Sequence, residues 1–449
     1  MDRTANGTPG PAFAVTHRLV LSIALPMTLA FMTTPLLGLT DTAVVGQLGQ
    51  PDALAGLAIG AVLFDLIFSS FNFLRASTTG LTAQAFGRGD AKEQQAIFWR
   101  ALLSALACGC VLLLLSPLLL SAGLALMGPD GGVAVATRSY FSIRMLAGPA
   151  ALANYAILGF VLGRGQGGIG LFLQTLINGI NIVLALALGL WLGWGVAGVA
   201  WGTMIGETVG TFAGLLIVLR GFAGRNRPAR ADILSRSKLL QLFALNRDIL
   251  IRTFVLLAAF TLMTRIGSYF GAITLAANAV LMNFVLISAF YLDGLANAAE
   301  QITGRAIGAG SRTAFDRGLK LTMLWSFGLA AIAALVFLVF GAAIVGVLTT
   351  SAEVRTVALQ YLPYAAVTGL TGALAYLMDG VFIGATWSDE MRNRMLLSFV
   401  CYLAALAVLV PLFGNTGLWL SINGFLLFRG VFLLTRVRPK ADQTFRLAQ

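Results

Sequence analysis

Charge is what this sequence has least of. Asp, Glu, Lys and Arg make up 11% of its 449 residues, where a soluble domain carries about 25%. That excludes a soluble globular enzyme. Disorder requires low hydrophobicity and high charge, and it is excluded because 58% of the residues are apolar. Histidine occurs once, as His17, so there is no histidine-rich metal or catalytic cluster. The three cysteines, Cys108, Cys110 and Cys401, lie inside apolar runs. Cys108-Gly-Cys110 lacks zinc-site spacing and has no second pair to complete a site. No metal and no cofactor are therefore expected. No P-loop and no aspartate-rich metal-diphosphate motif is present, so ATP drive within this chain and prenyl transfer lack their residues. Gly163-Arg-Gly165-Gln-Gly-Gly168 matches a dinucleotide fingerprint, but it follows an apolar span instead of a strand and reads as a flexible loop. The first sixteen residues contain no short apolar segment, so no cleavable signal is expected. The Asn6-Gly7-Thr8 sequon within them reads as chance.

What the chain does have is apolar length, with a mean hydropathy of +0.87. At about 20 residues per membrane span, this is enough for a dozen helices. Twelve apolar segments recur, at 18–45, 54–86, 96–126, 136–162, 168–192, 195–220, 238–269, 274–308, 317–348, 354–384, 390–412 and 416–436. The net charge of +12 is expected to reflect orientation and not a nucleic-acid partner. With both termini cytoplasmic, the inner loops collect most of the Lys and Arg, and the outer ones hold little beyond Arg138, Arg144 and Arg355. The expected organisation is a cytoplasmic tail (1–17), a six-helix bundle (18–220), a basic cytoplasmic linker (221–237), a second six-helix bundle (238–436) and a cytoplasmic tail (437–449). Residues 53–90 align without a gap on 274–311, so that Thr82 meets Thr303 and Gly87 meets Gly308. Six spans per repeat give both halves the same membrane orientation, related by a pseudo-two-fold axis along the membrane normal. The expected fold is thus an all-α membrane protein.

Ionisable groups inside spans are costly and usually face a cavity or a partner. Asp41, Asp65, Arg75, Glu207, Arg252, Arg265, Asp293, Glu300 and Asp379 are the candidates. Asp41 sits late in the first span, downstream of Pro26, where a kink is permitted; the alternative is a loop aspartate at a helix end. In the fifth span Gln174, Asn178 and Asn181 form one stripe, either interhelical glue or a cavity wall. In the eighth, Asp293, Asn297 and Glu300 share a face and either line the cavity or pair with Arg252, Arg265 or Arg75. Gly202, Gly206, Gly210 and Gly214 are expected to pack a neighbouring backbone closely, with Glu207 beside them as partner of a buried arginine.

These residues resemble the multidrug and toxic compound extrusion (MATE) transporters, in particular their DinF branch. The likeness rests on Ala24-Leu25-Pro26, Asp41-Thr-Ala-Val-Val-Gly46, the 74–84 and 246–253 stretches, Asn278 to Asn283, Leu292-Asp293-Gly294 and Asp379-Gly380-Val-Phe-Ile-Gly384. It implies secondary efflux by two six-helix bundles, driven by protons or sodium, with Asp41 in the place of the proton-coupling aspartate. Asn181 matches the asparagine that usually precedes a second aspartate by four residues, but Ala185 stands where that aspartate belongs. The seventh span lacks the glutamate of the sodium-linked branch, which favours protons.

The expected activity is antiport of organic, cationic or lipophilic compounds against protons. A carboxylate in a low-dielectric cavity can bind a proton near neutral pH, and proton and cation then compete for it. Met32, Phe64, Phe68, Asn154, Gln174, Asn178, Asn181 and Thr203 are expected at the substrate cavity. Arg75, Glu207, Arg252, Arg265, Asp293, Asn297, Glu300 and Asp379 are expected in a buried charge network. A sodium-coupled exporter, a lipid-type flippase and an organic-anion exporter are the alternatives; a membrane-embedded enzyme lacks a nucleophile or metal constellation. The expected setting is a monomer in the bilayer of a bacterial inner membrane, with small-molecule substrates and no nucleic acid.

Overall fold

The computed structural model describes residues 13–224 and 227–447. The sequon at Asn6 and Arg225 of the expected linker lie outside them. The helices are α1 His17–Met32, α2 Thr34–Gly46, α3 Pro51–Ser69, α4 Phe73–Gly87, α5 Ala91–Met127, α6 Gly131–Leu146, α7 Gly148–Gly163, α8 Gly167–Leu184, α9 Gly195–Phe222, α10 Arg230–Ile233, α11 Arg236–Gly267, α12 Ala272–Gly308, α13 Arg312–Leu348, α14 Ala352–Gly384, α15 Ser388–Phe413 and α16 Asn415–Leu447. Among the described residues, eleven helical stretches are long and apolar enough to cross a membrane, and the pair α6–α7, bent by 50°, makes a twelfth if it is one span. The protein is therefore an all-helical membrane protein.

The breaks have local causes. Pro149, at the start of α7, has no amide hydrogen to continue α6 and sets the bend. The first span is interrupted at Thr33 and not at Pro26: α1 runs through Pro26, and Pro35 in the first turn of α2 accompanies the break. The Thr33 hydroxyl donates to the Ala30 carbonyl at 2.6 Å, capping the end of α1. After α8 the backbone widens into a π-helical segment, Ala185–Trp191. Gly198 and Gly202 of α9 lie against its backbone at Leu188 and Ala185, where a Cβ would come within 3.0 Å. Gly206 meets the Ile177 carbonyl in the same way, whereas Gly210 and Gly214 meet the side chains of Ile177 and Ile157, so the expected close backbone approach holds for the first half of the glycine row.

The chain divides into two compact units. One holds residues up to Thr28, Ala83–Gly89 and Phe243 onward; the other holds Leu29–Thr82 and Asp90–Leu242. The division falls inside α1, around the end of α4 and inside α11, so it departs from the expected bundle limits at 18, 220 and 238. For brevity these are the C-terminal and the N-terminal unit.

Each unit contains the same helix seam. In the N-terminal unit, Gly159 and Gly163 of α7 lie against the carbonyl oxygens of Arg75 and Thr79 of α4. In the C-terminal unit, Gly380 and Gly384 of α14 lie against the carbonyl oxygens of Ala296 and Glu300 of α12. A Cβ on any of the four would come within 3.0 Å of an oxygen. Every position in the second seam lies 221 residues after its counterpart in the first, the offset of the internal repeat. The C-terminal unit also contains a reciprocal crossing: Gly87 abuts the Arg305 carbonyl, and Gly308 abuts that of Gln84. Positions 87 and 308, and 84 and 305, are repeat equivalents. Such exchange of contacts is the mark of a local two-fold relation.

Apolar packing completes each unit. Phe284, Phe337, Tyr402 and Trp419 centre one cluster in the C-terminal unit; Phe64, Phe68, Phe141 and Met145 centre one in the N-terminal unit. At the end of α16 the helix continues beyond residue 436, where the expected tail begins. Its charges find partners there: Arg436 meets Glu390 at 2.8 Å, and Asp442 meets Arg312 at 2.7 Å.

Candidate substrate and coupling site

The N-terminal unit encloses a cavity of about 320 Å³. Five spans contribute to its wall. From α2 comes Thr34; from α3, Phe64, Asp65 and Phe68; from α6, Arg144; from α7, Asn154 and Tyr155; from α8, Gln174; from α9, Glu207. One wall is aromatic, with Phe64 and Phe68 stacked at 3.9 Å between centroids. These two sit four residues apart on one face of α3, so the helical repeat alone brings the rings together.

The charged groups converge on one guanidinium. Arg144 lies over the Phe64 ring at 3.9 Å and donates to the Tyr140 hydroxyl at 2.6 Å. It interacts electrostatically with Asp65 and Asp41. Glu207 accepts from the Asn154 amide at 2.6 Å and also feels Arg144. Its hydrogen-bonded partner is thus an amide, where a buried arginine was expected. Arg144, an outer-loop charge by sequence, belongs to the cavity wall.

Asp41 lies off the cavity wall. It is 7% exposed, and its Oδ1 is buried without a hydrogen-bond partner. Its connection to the cavity runs through Arg144. Three residues on, Val44 packs against Gly189 of the π-helical segment, and Ala185 at the start of that segment is fully buried.

The polar stripe on α8 divides between the two roles open to it. Gln174 faces the cavity and donates to Asn178 at 3.3 Å. Asn178 donates to the Thr33 hydroxyl at 2.5 Å, tying α8 to the break in the first span. Asn181 donates to Thr203 of α9 at 2.8 Å. Asn178, Asn181 and Thr203 therefore join helices and stand off the wall. Met32 is 49% exposed and is also absent from it.

The C-terminal unit holds a separate charge cluster. Arg252 of α11 and Arg429 of α16 both donate through Nη2 to Oδ2 of Asp379 on α14. Arg252 thus ion-pairs with Asp379, and Asp293, one of the carboxylates expected beside a membrane arginine, acts electrostatically on both arginines. Asn297 donates to the Asp293 carbonyl at 2.7 Å, and Glu300 is buried on the same helix. Arg75, in the N-terminal unit, donates to Asn72 at 3.0 Å. Arg265 stands apart from any buried network: it is exposed and lies 5.3 Å from the Tyr269 ring centroid. Arg429, which the sequence reading passed over, is the most buried member at 1% exposure. Among the described residues, no group of three or more His, Cys, Asp or Glu is placed to hold a metal ion.

Comparison with known proteins bears on this arrangement. The family model described as MatE matches twice, at residues 26–187 and again at 249–410. The chain is 36% identical to DNA damage-inducible protein F of Escherichia coli, over 92% of this chain and 90% of that protein. Its fold is similar to that of a solved MOP superfamily transporter from Pyrococcus furiosus, with a TM-score of 0.87 at 15% identity, covering 95% of this chain and 96% of that one. It is equally similar to the outward-facing conformation of a multidrug resistance MATE family transporter, with a TM-score of 0.87 at 16% identity over 95% and 96% of the two chains.

Proposed function

This chain belongs to the MATE family of membrane transporters, and we propose that it exports lipophilic organic cations in exchange for protons, with Asp41 as the coupling carboxylate. The observation that carries the reading is the charge of the cavity. Asp65 and Glu207 face it against one cation, Arg144, beside an aromatic wall. A flat or bulky organic cation would satisfy both the excess carboxylate and the rings, since cations bind aromatic faces. The volume is at the lower end of small-molecule sites, which run from about 300 to 1,000 Å³.

Coupling would run through Arg144. While Asp41 is ionised, it shares the field of Arg144 with Asp65 and Glu207, and the cavity stays attractive to a cation. When Asp41 takes a proton, Arg144 is left to the cavity carboxylates alone. Their pull on the substrate weakens, and the cation leaves. Proton and drug thus compete through a shared guanidinium, without both having to occupy one carboxylate. This accommodates Ala185, because no second carboxylate beside Asp41 is required. The location of the basic residues supports cytoplasmic termini and a cytoplasmic 221–237 linker, and with them an inner-membrane orientation.

The test is uptake of labelled tetraphenylphosphonium into proteoliposomes on imposing a proton gradient or a sodium gradient. The parent is expected to respond to protons only. Asp41→Asn, fixed in the uncharged form, is expected to fold and to lose the response. An Asp41→Asn variant that still follows the proton gradient would refute the assignment.

A further inference from the structure

The C-terminal unit carries a second cavity, of about 620 Å³, between the first turns of α13 and the last stretch of α16. Arg312, Asp316 and Lys320 line it from α13 at four-residue spacing and share one face; Arg438 comes from α16. Deeper along both helices the wall turns apolar, through Met323 on α13 and Leu434 on α16. α13 has 37 residues and is about 55 Å long, against a hydrocarbon core of about 30 Å. A helix of that length must leave the hydrocarbon, and Arg312, Asp316, Arg317 and Lys320 in its first turns mark the end that does so. The groove runs from charged at that end to apolar toward the bilayer interior, which is the polarity order of a phospholipid.

The charges are not equivalent. Arg312 is neutralised by Asp316 at 3.1 Å and Asp442 at 2.7 Å. One cation against two carboxylates leaves one net negative charge, which Lys320 and Arg438 together outweigh. Lys320 and Arg438 are exposed, and neither has a carboxylate partner among the described residues. Two unpaired cations above an apolar floor complement one phosphodiester with acyl chains below it. A zwitterionic headgroup would bring its own ammonium against them.

We propose that this groove is a binding site for an anionic phospholipid, with the phosphate held between Lys320 and Arg438 and an acyl chain lying along Met323 and Leu434. The site is separate from the cavity of the N-terminal unit and does not depend on how transport is coupled.

Native mass spectrometry of the full chain, released from detergent with added dioleoyl phosphatidylglycerol or dioleoyl phosphatidylcholine, tests it. Phosphatidylglycerol is expected to be retained preferentially. Lys320→Gln/Arg438→Gln should weaken that retention about thirtyfold, the loss expected of two interfacial cations. Arg88→Gln/Arg227→Gln removes the same charge from exposed positions elsewhere and should change nothing. Equal retention by the Lys320→Gln/Arg438→Gln variant and the parent would overturn the proposal, as would equal retention of the two lipids. Displacement of the lipid by soluble glycerol phosphate at matching concentration would overturn it too, since it would mean that the groove reads phosphate alone.

Discussion

Replacing Asp379 by Asn should be among the most damaging isosteric changes available in the C-terminal unit. One oxygen, Oδ2, accepts from both Arg252 and Arg429. Arg429 is 1% exposed, and its Nε and Nη1 have no hydrogen-bond partner. With Asp293 acting on both arginines, the cluster holds two cations and two anions. Asp379→Asn leaves two buried guanidinium groups to the field of Asp293. Removing one partner of a buried ion pair costs about 3–5 kcal/mol, and here one carboxylate serves two cations. At about 2–4 °C per kcal/mol for a unit of this size, melting should fall by roughly 6–20 °C. Arg429→Met is expected to cost less, because Arg252 and Asp379 still neutralise each other. Combining Asp379→Asn with Arg429→Met should recover much of the loss, because Arg252 then has Asp293 to itself. The assay is heating in detergent followed by fluorescence-detected size exclusion for the parent, both single variants and the double variant. If the double variant shows the sum of the single losses, the charges are not coupled and this reading is wrong.

The seam glycines, Gly163 and Gly384, should each lose about 1–3 kcal/mol of stability as Ala, since a Cβ would press on a carbonyl. Gly38→Ala, with nothing within 4 Å, is the control, and it should match or slightly exceed the parent in the same melting assay. Glu207→Gln can keep its Asn154 hydrogen bond while removing one cavity charge, so it should fold and bind a fluorescent lipophilic cation more weakly, by about tenfold for some 1.4 kcal/mol of lost attraction. Arg144→Met should shift that affinity in the opposite direction; fluorescence polarisation that finds the cation bound more weakly by Arg144→Met would discount the cavity charge as the recognition element.

The spans were legible because membrane burial leaves a direct trace in composition, and the repeat was legible because both halves use the same seam. The π-helical segment at Ala185–Trp191 left no such trace. Its close packing involves Gly198 and Gly202 of another helix as well as its own Gly189, a pairing that no local pattern displays. The last helix outran its apolar segment for a related reason. Hydropathy registers burial in lipid, whereas residues beyond 436 are held by Arg436, Lys440 and Asp442 meeting Glu390, Asp389 and Arg312. Charge of that kind reads as a loop until its partners are known.

The same limitation separates the carboxylates of the site from its arginine. Asp41, Asp65 and Glu207 each interrupt an apolar run, and an acidic residue in such a run requires an explanation on energetic grounds alone. Arg144 follows Arg138 by six residues in the first third of the 136–162 segment, and a basic residue so placed reads as a boundary charge, because a long side chain can snorkel toward water. Only its spacing told otherwise: Tyr140 precedes it by four residues, placing a hydroxyl acceptor on the same helical face. Phe64, which completes its surroundings, comes from a different helix and is invisible to any local pattern. Without Arg144 the three carboxylates look like separate groups on three helices. With it, Asp41 is electrically part of a cavity whose wall it does not reach, because the same guanidinium acts on Asp41, Asp65 and Glu207.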